Sequence, residues 1–313
     1  MPATPPFAVP GGTAPRQRGF VPRPFGRLYY EVTGEGPALV FAHGLGGNHL
    51  SWWQQVGHFA ASHCCVTFSH QGFAPSDTPA DGPDPAAYAE DLAALIAHLG
   101  LQNPVLVGQS MGGWTGITFA QAHPGVLRGL VLAATSGPID PRQAGAAALD
   151  AHAAWATRSE AALRQGAARG VHPAIGLRGA EEQPAAHFLY RAIDELSVGL
   201  DKDALRRRLF STRDRPASAL AAIATPTLWI TGAEDVVFAS RSHPSWPPPC
   251  RGPGTSRSPM PATPPISSVR RRSTRRWGSS WRRWADGAGE EGWGRNSPDP
   301  FFFASLAGAG RNW

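Results

Sequence analysis

The residues best suited to chemistry are Gly108-Gln109-Ser110-Met111-Gly112, a G-x-S-x-G segment set between an apolar run and a stretch that follows it as a helix. A serine held at so tight a strand-to-helix turn adopts unusual backbone angles, and side chains at the two flanking positions would collide, so the chemistry needs both glycines. The helix starting just after Ser110 points its unpaired N–H groups and the positive end of its dipole at any oxyanion that develops. Nucleophilic attack by Ser110 is the chemistry this spacing predicts. The plain alternative is a tight structural turn.

Such a serine must be positioned by a sheet, and the sequence supplies one. RLYYEVTG (27–34) alternates as a strand, with Gly34 and Gly36 marking a turn. ALVFAHG (38–44), CVTFSHQG (65–72), PVLVGQS (104–110) and LRGLVLAATS (127–136) are apolar runs of the kind found in buried parallel strands. Between them, PDPAAYAEDLAALIAHLG (83–100) places Tyr88, Leu92, Leu95, Ile96 and Leu99 at helical spacing, with Gly100 as its stop. Strand–helix alternation of this kind implies an α/β fold, a mostly parallel sheet with helices on both faces. Residues 140–222 interrupt it with Ala-rich helical spacing, after which PTLWITGAED (226–235) resumes as a strand. The predicted organisation is a disordered Pro/Gly-rich leader over 1–24, a core over 25–139, a helical lid inserted over 140–222, an acid-bearing strand over 223–238, and a disordered basic tail over 239–313.

With these motifs in place, the chain resembles the α/β-hydrolase superfamily, in its lid-bearing serine esterase and lactonase branch, over about residues 25–238. The second matching motif is His43-Gly44-Leu45-Gly46-Gly47, directly after a strand. The resemblance implies that the Leu45 and Met111 N–H groups form an oxyanion hole, with His43, Gly44, Gly108 and Gly112 supporting the two motifs. The third match is Thr231-Gly232-Ala233-Glu234-Asp235, where the family carries its triad acid in a G-x-x-D; this selects Asp235 over its neighbour Glu234. The acid orients a histidine and stabilises its cation. The implied reaction is hydrolysis of a small carboxylic ester or lactone through an acyl-enzyme. No metal and no organic cofactor is implied, and neither a nucleic-acid nor a membrane partner; the oligomeric state is left open. The family also uses this apparatus for amide, acyl-transfer and perhydrolysis chemistry. One patch departs from the pattern. Where the family has Asp-x-Arg-Gly-x-Gly-x-Ser, this chain has Ser69-His70-Gln71-Gly72-Phe73-Ala74-Pro75-Ser76, without the Asp and Arg of a structural ion pair.

The family's triad histidine should follow the acid by roughly 25–30 residues, usually in an Ala-Gly-His. Beyond Asp235 the chain has one histidine, His243, only eight residues on. His43, His70 and His123 fall in loops or at helix ends. Without a general base a serine hydroxyl is a weak nucleophile, so the site is incomplete in this reading frame. A shifted frame supplies what is missing. If each codon is formed from the last base of one printed codon and the first two of the next, Met260 to Arg270 permits Asp-Ala-Gly-His-Ser-Ala-Tyr-Phe-Glu-Arg-Pro. The stretch through Ser279-Ser280-Trp281 then permits Ala-Ala-Phe-Asn-Ala-Ala-Val-Gly-Glu-Phe-Leu, a closing helix. The hidden histidine straddles Ala262 and Thr263, about 27 positions after Asp235. The expectation is a one-base deletion between about Phe238 and Trp246.

Composition points the same way. The 313 residues carry a formal net charge of +6, yet residues 1–240 hold 17 Lys and Arg against 19 Asp and Glu, and residues 241–313 hold 12 against 4. That last quarter has three Leu, Ile or Val (Ile266, Val269, Leu306) but six of the eleven Trp, with no apolar period. GC-rich DNA read out of frame yields this mixture, and 28 arginines against the single Lys202 mark a GC-rich gene. The competing readings are a catalytically dead pseudo-hydrolase or unstable gene product and, second, a basic, Trp-bearing segment binding nucleic acid by charge and stacking. No apolar run reaches bilayer length, the start MPATPPFAVP has no signal-peptide pattern, and three cysteines form neither a disulfide framework nor a zinc pattern. The expected setting is the reduced cytoplasm.

Overall fold

Short, continuous apolar runs give each central strand two buried faces. In a computed structural model, which describes residues 16–143 and 146–230 together with Gly232, Asp235 and Val237, these runs form one seven-stranded sheet. The strands are β1 (Arg16–Arg23), β2 (Gly26–Thr33), β3 (Ala38–Ala42), β4 (Cys64–Phe68), β5 (Val105–Gln109), β6 (Gly129–Ala133) and β7 (Thr227–Ile230), in the order β1-β2-β4-β3-β5-β6-β7. β1 and β2 are antiparallel to their neighbours, and the five from β4 to β7 are parallel.

Val40, Leu106, Leu130 and Leu132 point to one face, where helices α2 (Tyr88–His98) and α3 (Met111–Ala122) cover them with Leu92, Leu95, Ile117 and Phe119. Leu39, Phe41, Val105, Val107 and Val131 point to the other, against Trp52 and Phe59 at α1 (Trp53–Phe59). Between β6 and β7 lie α4 (Ala146–Ala168), α5 (Gly176–Glu182), α6 (Pro184–Glu195) and α7 (Lys202–Ser211), as the Ala-rich spacing predicts. Leu205 and Leu209 of α7 are buried with Phe73, Tyr88, Met111 and Trp114, which seats this helix on the start of α3. No helix among the described residues is long and apolar enough to cross a membrane.

One expectation is corrected. Residues 16–23 are not a disordered leader but strand β1, paired with β2 along its whole length through a two-residue connection. Its pattern hid it, because Val21 is its one buried residue and Pro22 suits only an edge strand. The strand is held by side chains instead. Arg16 forks onto Glu31 at 2.9 and 2.7 Å, and Arg23 donates to Asp91 at 2.7 Å. Residues 1–15 and the tail from 238 on, and with it His243 and the shifted-frame histidine, lie outside the described residues, as does Glu234.

The Arg23–Asp91 pair also explains the departing patch. Asp91 is buried, and Gln71, standing where the family has Arg, donates its Nε2–H to it at 2.7 Å. Burial pushes the Asp91 carboxyl up despite these two donors. Arg23→Met removes the cationic partner of a buried carboxylate and should cost roughly 2 kcal/mol, less than for a fully buried pair because Arg23 is partly exposed. A urea melt at pH 7 measures it, and an unchanged midpoint would deny β1 its anchoring role.

Candidate active site

β5 ends at Gln109 and α3 starts at Met111, so Ser110 alone makes the turn, at φ 52° and ψ −114°. A left-handed φ in a residue other than glycine is strained and persists only where its surroundings fix it. Here they do. Ser110 donates its backbone N–H to the Ala133 carbonyl at 3.0 Å, and its own carbonyl accepts from Thr135 Oγ1 at 2.7 Å and from the Gly113 N–H at 2.9 Å. The flanking glycines are required by contact: a Cβ on Gly108 would lie 2.4 Å from the Gly112 carbonyl oxygen, and one on Gly112 would lie 2.1 Å from the carbonyl oxygen of Ala42 in β3.

The 43–47 loop leans on this turn. A Cβ on Gly44 would meet Gln109 Oε1 at 2.3 Å and Ser110 Cβ at 3.1 Å. His43, fully buried, shapes the loop: its Nδ1–H donates to the Gly44 carbonyl at 2.8 Å, and its Nε2 accepts the His70 backbone N–H at 3.0 Å. His70 Nδ1 lies 3.1 Å from the same His43 nitrogen, and His70 Nε2 accepts from Thr115 Oγ1 at 3.0 Å. Both rings are thus spent on structure and stay neutral. Burial pushes His43 down to about 3, and His70 well below its ordinary value. Because the folded state refuses protons that unfolded histidines accept near pH 6.5, stability is full above that pH and falls as pH drops toward the folded values. Each of the two should cost about 1.4 kcal/mol between pH 7.5 and 5.5. Buried His49 and His63 act in the same direction. Urea midpoints at the two pH values check this; equal midpoints would contradict it.

Ser110, Gly44, Leu45 and Asp235 line one cavity of about 220 Å³. Met111 is fully buried beside it. Asp235 is placed by local bonds: its Oδ1 accepts the Val237 N–H at 2.8 Å, and its carbonyl accepts Trp155 Nε1–H of α4 at 3.3 Å. His123 is elsewhere, bonded to Glu90 at 3.0 Å on the outer side of α3.

The opposite wall went unseen in the sequence. It comes from the insertion: His172, Tyr190, Asp194, Lys202 and Arg206. His172 comes from the loop after α4; on α6 and α7 such polar residues read as a solvated face, and only the i, i+4 spacings of Tyr190 with Asp194 and of Lys202 with Arg206 hint at a shared direction. Among the described residues His172 is the histidine lining the cavity, but both its nitrogens are committed. Nδ1 accepts the Ala174 N–H at 3.1 Å, and Nε2 faces Asp194 Oδ2 at 3.8 Å. It therefore offers Ser110 no free lone pair.

A family model described as alpha/beta hydrolase fold matches residues 37–247. The chain is 29% identical over 141 residues to 3-oxoadipate enol-lactonase 2 of Acinetobacter baylyi, covering 44% of this chain and 49% of that protein. It is 30% identical over 108 residues to 2-(acetamidomethylene)succinate hydrolase of Mesorhizobium japonicum, covering 34% and 39%. The chain thus spans less than half the length of either curated relative. The structure resembles that of a hydrolase from Pseudomonas aeruginosa, with 26% identity, a TM-score of 0.54, and coverage of 72% of this chain and 84% of that one.

Proposed function

Because the chain belongs to the alpha/beta hydrolase fold family, we propose that its site is built to hydrolyse small carboxylic esters or lactones, with Ser110 as nucleophile. The observation that carries this is the left-handed Ser110, locked by three hydrogen bonds, sharing one cavity with the 44–45 loop and Asp235. Ser110 Oγ attacks the carbonyl carbon while a histidine takes its proton. The tetrahedral oxyanion is held by the N–H groups of Leu45 and Met111. The leaving oxygen regains that proton, and water then hydrolyses the acyl-serine by the same steps in reverse order. Asp235 holds the histidine in the working tautomer.

That histidine is supplied, in this reading, by the shifted frame at Ala262–Thr263. The sheet favours a further element there: among the described residues β7 pairs only with β6, and its four residues are half-buried where those of β6 are fully buried. In the frame given, with His172 committed elsewhere, no described residue of the cavity serves as the base. Turnover of p-nitrophenyl butyrate by the frame-corrected chain, lost in Ser110→Ala, tests the proposal; turnover that survives Ser110→Ala would refute it. The relatives' names set the expectation of a small, oxygen-rich substrate.

A further inference from the structure

We infer that the cavity over Ser110 selects esters or lactones bearing one carboxylate, read by Lys202 and Arg206 of α7. This deepens the hydrolase reading and rests on it. Residues 202, 206, 209 and 210 are spaced i, i+4, i+7 and i+8, one face of a helix, and all four line the cavity. The face is held in place. Leu205 and Leu209 are buried against Met111 and Trp114, and Arg208 Nη1 donates to the carbonyls of Asp81 and Pro83 at 3.0 and 2.9 Å. Lys202, the one lysine of the chain, is thus carried to the cavity wall by packing that the lysine itself does not make.

Charge and donor counts select the ligand. Lys202 Nζ donates to the Asp194 carbonyl and, at 2.7 Å, to Asp194 Oδ1, which leaves one of its three N–H groups uncommitted. Arg206 gives Nη1 to Asp203, which faces solvent, and keeps the rest of its five-donor fork. The acids lining the cavity are Asp194, held by Lys202, and Asp235. The donors that remain for a ligand are therefore the third N–H of Lys202 and the open part of the Arg206 fork. A carboxylate matches them, since its planar two-oxygen edge suits a guanidinium fork. A phosphate dianion would face two carboxylates in about 220 Å³.

The test is calorimetric binding of monomethyl succinate and of dimethyl succinate, its uncharged counterpart, to the full chain carrying Ser110→Ala, so that no turnover enters. The half-acid should bind about tenfold more tightly or better. Arg206→Gln and Lys202→Met should each reduce that ratio several-fold, and Lys202→Arg should retain most of it. Arg206 is half-exposed, so its variant keeps the test open if Lys202→Met, which unpairs Asp194, fails to fold. Equal binding of the two probes, binding of neither, or a ratio untouched in Arg206→Gln would overturn the inference. A charge preference that follows Arg206 while the frame-corrected chain turns over no ester would sustain the carboxylate site and sink the hydrolase reading alone.

Discussion

Moving residues beyond Phe238 into the shifted frame should raise kcat/KM for p-nitrophenyl butyrate by about 10³-fold or more over the chain in its given frame. The size follows from what the histidine does. A positioned general base contributes about 10²–10⁴-fold, and in the proposed triad it would act with Ser110 and Asp235 as a unit, so its absence would forfeit most of the triad's effect. What remains without it is the oxyanion site and substrate binding. No cavity-lining substitute stands by among the described residues: His172 has given its lone pair to the Ala174 N–H, and burial lowers its pKa, with Asp194 opposing. His43 and His70 are locked to one another behind the Gly44 loop. A steady-state comparison of the two purified chains measures the effect. Equal rates would mean that the hidden Gly-His string is irrelevant to the reaction.

Gly112→Ala should be among the most damaging single methyl additions at the described residues. Its Cβ would lie 2.1 Å from the carbonyl oxygen and 2.6 Å from the carbonyl carbon of Ala42. Those atoms belong to β3, which is hydrogen-bonded on both sides to β4 and β5 and cannot retreat without breaking a ladder. Overpacking against backbone puts the cost at about 3 kcal/mol or more, a large part of a margin of ~5–15 kcal/mol. Thermal melts of the frame-corrected chain should show a fall of about 6 °C or more. Gly57→Ala, in α1 with nothing within 4 Å of the added Cβ, is the control and should be neutral or slightly stabilising. Similar melts for the two variants would remove the steric reason for the G-x-S-x-G pattern.

How far the sequence could be read depended on which interactions carry each element. The apolar runs 38–44, 104–110 and 127–136 gave up their strands because burial on both faces leaves a continuous hydrophobic signature. The glycines around Ser110 were legible because a Cβ at Gly108 or Gly112 would collide with backbone. β1 was not legible, since it is held by Arg16–Glu31 and Arg23–Asp91 and buries only Val21. Nor was the replacement of one ion pair by another: Gln71 looks like a loss until Arg23 arrives from β1 to meet the same carboxylate. The cavity's far wall stayed hidden for a related reason. His172, Tyr190 and Asp194 come together only when the insertion folds over Ser110, and polar residues on a helix carry no mark of the surface they will face.

Ser110 is the proposed nucleophile of a site in which no described residue supplies the base. Intact and peptide mass spectrometry of the frame-corrected chain after exposure to a fluorophosphonate decides whether it is. One covalent adduct is expected, on the peptide containing Ser110, absent from Ser110→Ala and formed far more slowly in the chain with its given tail. An adduct on any other residue, or equal labelling of both chains at Ser110, would contradict it.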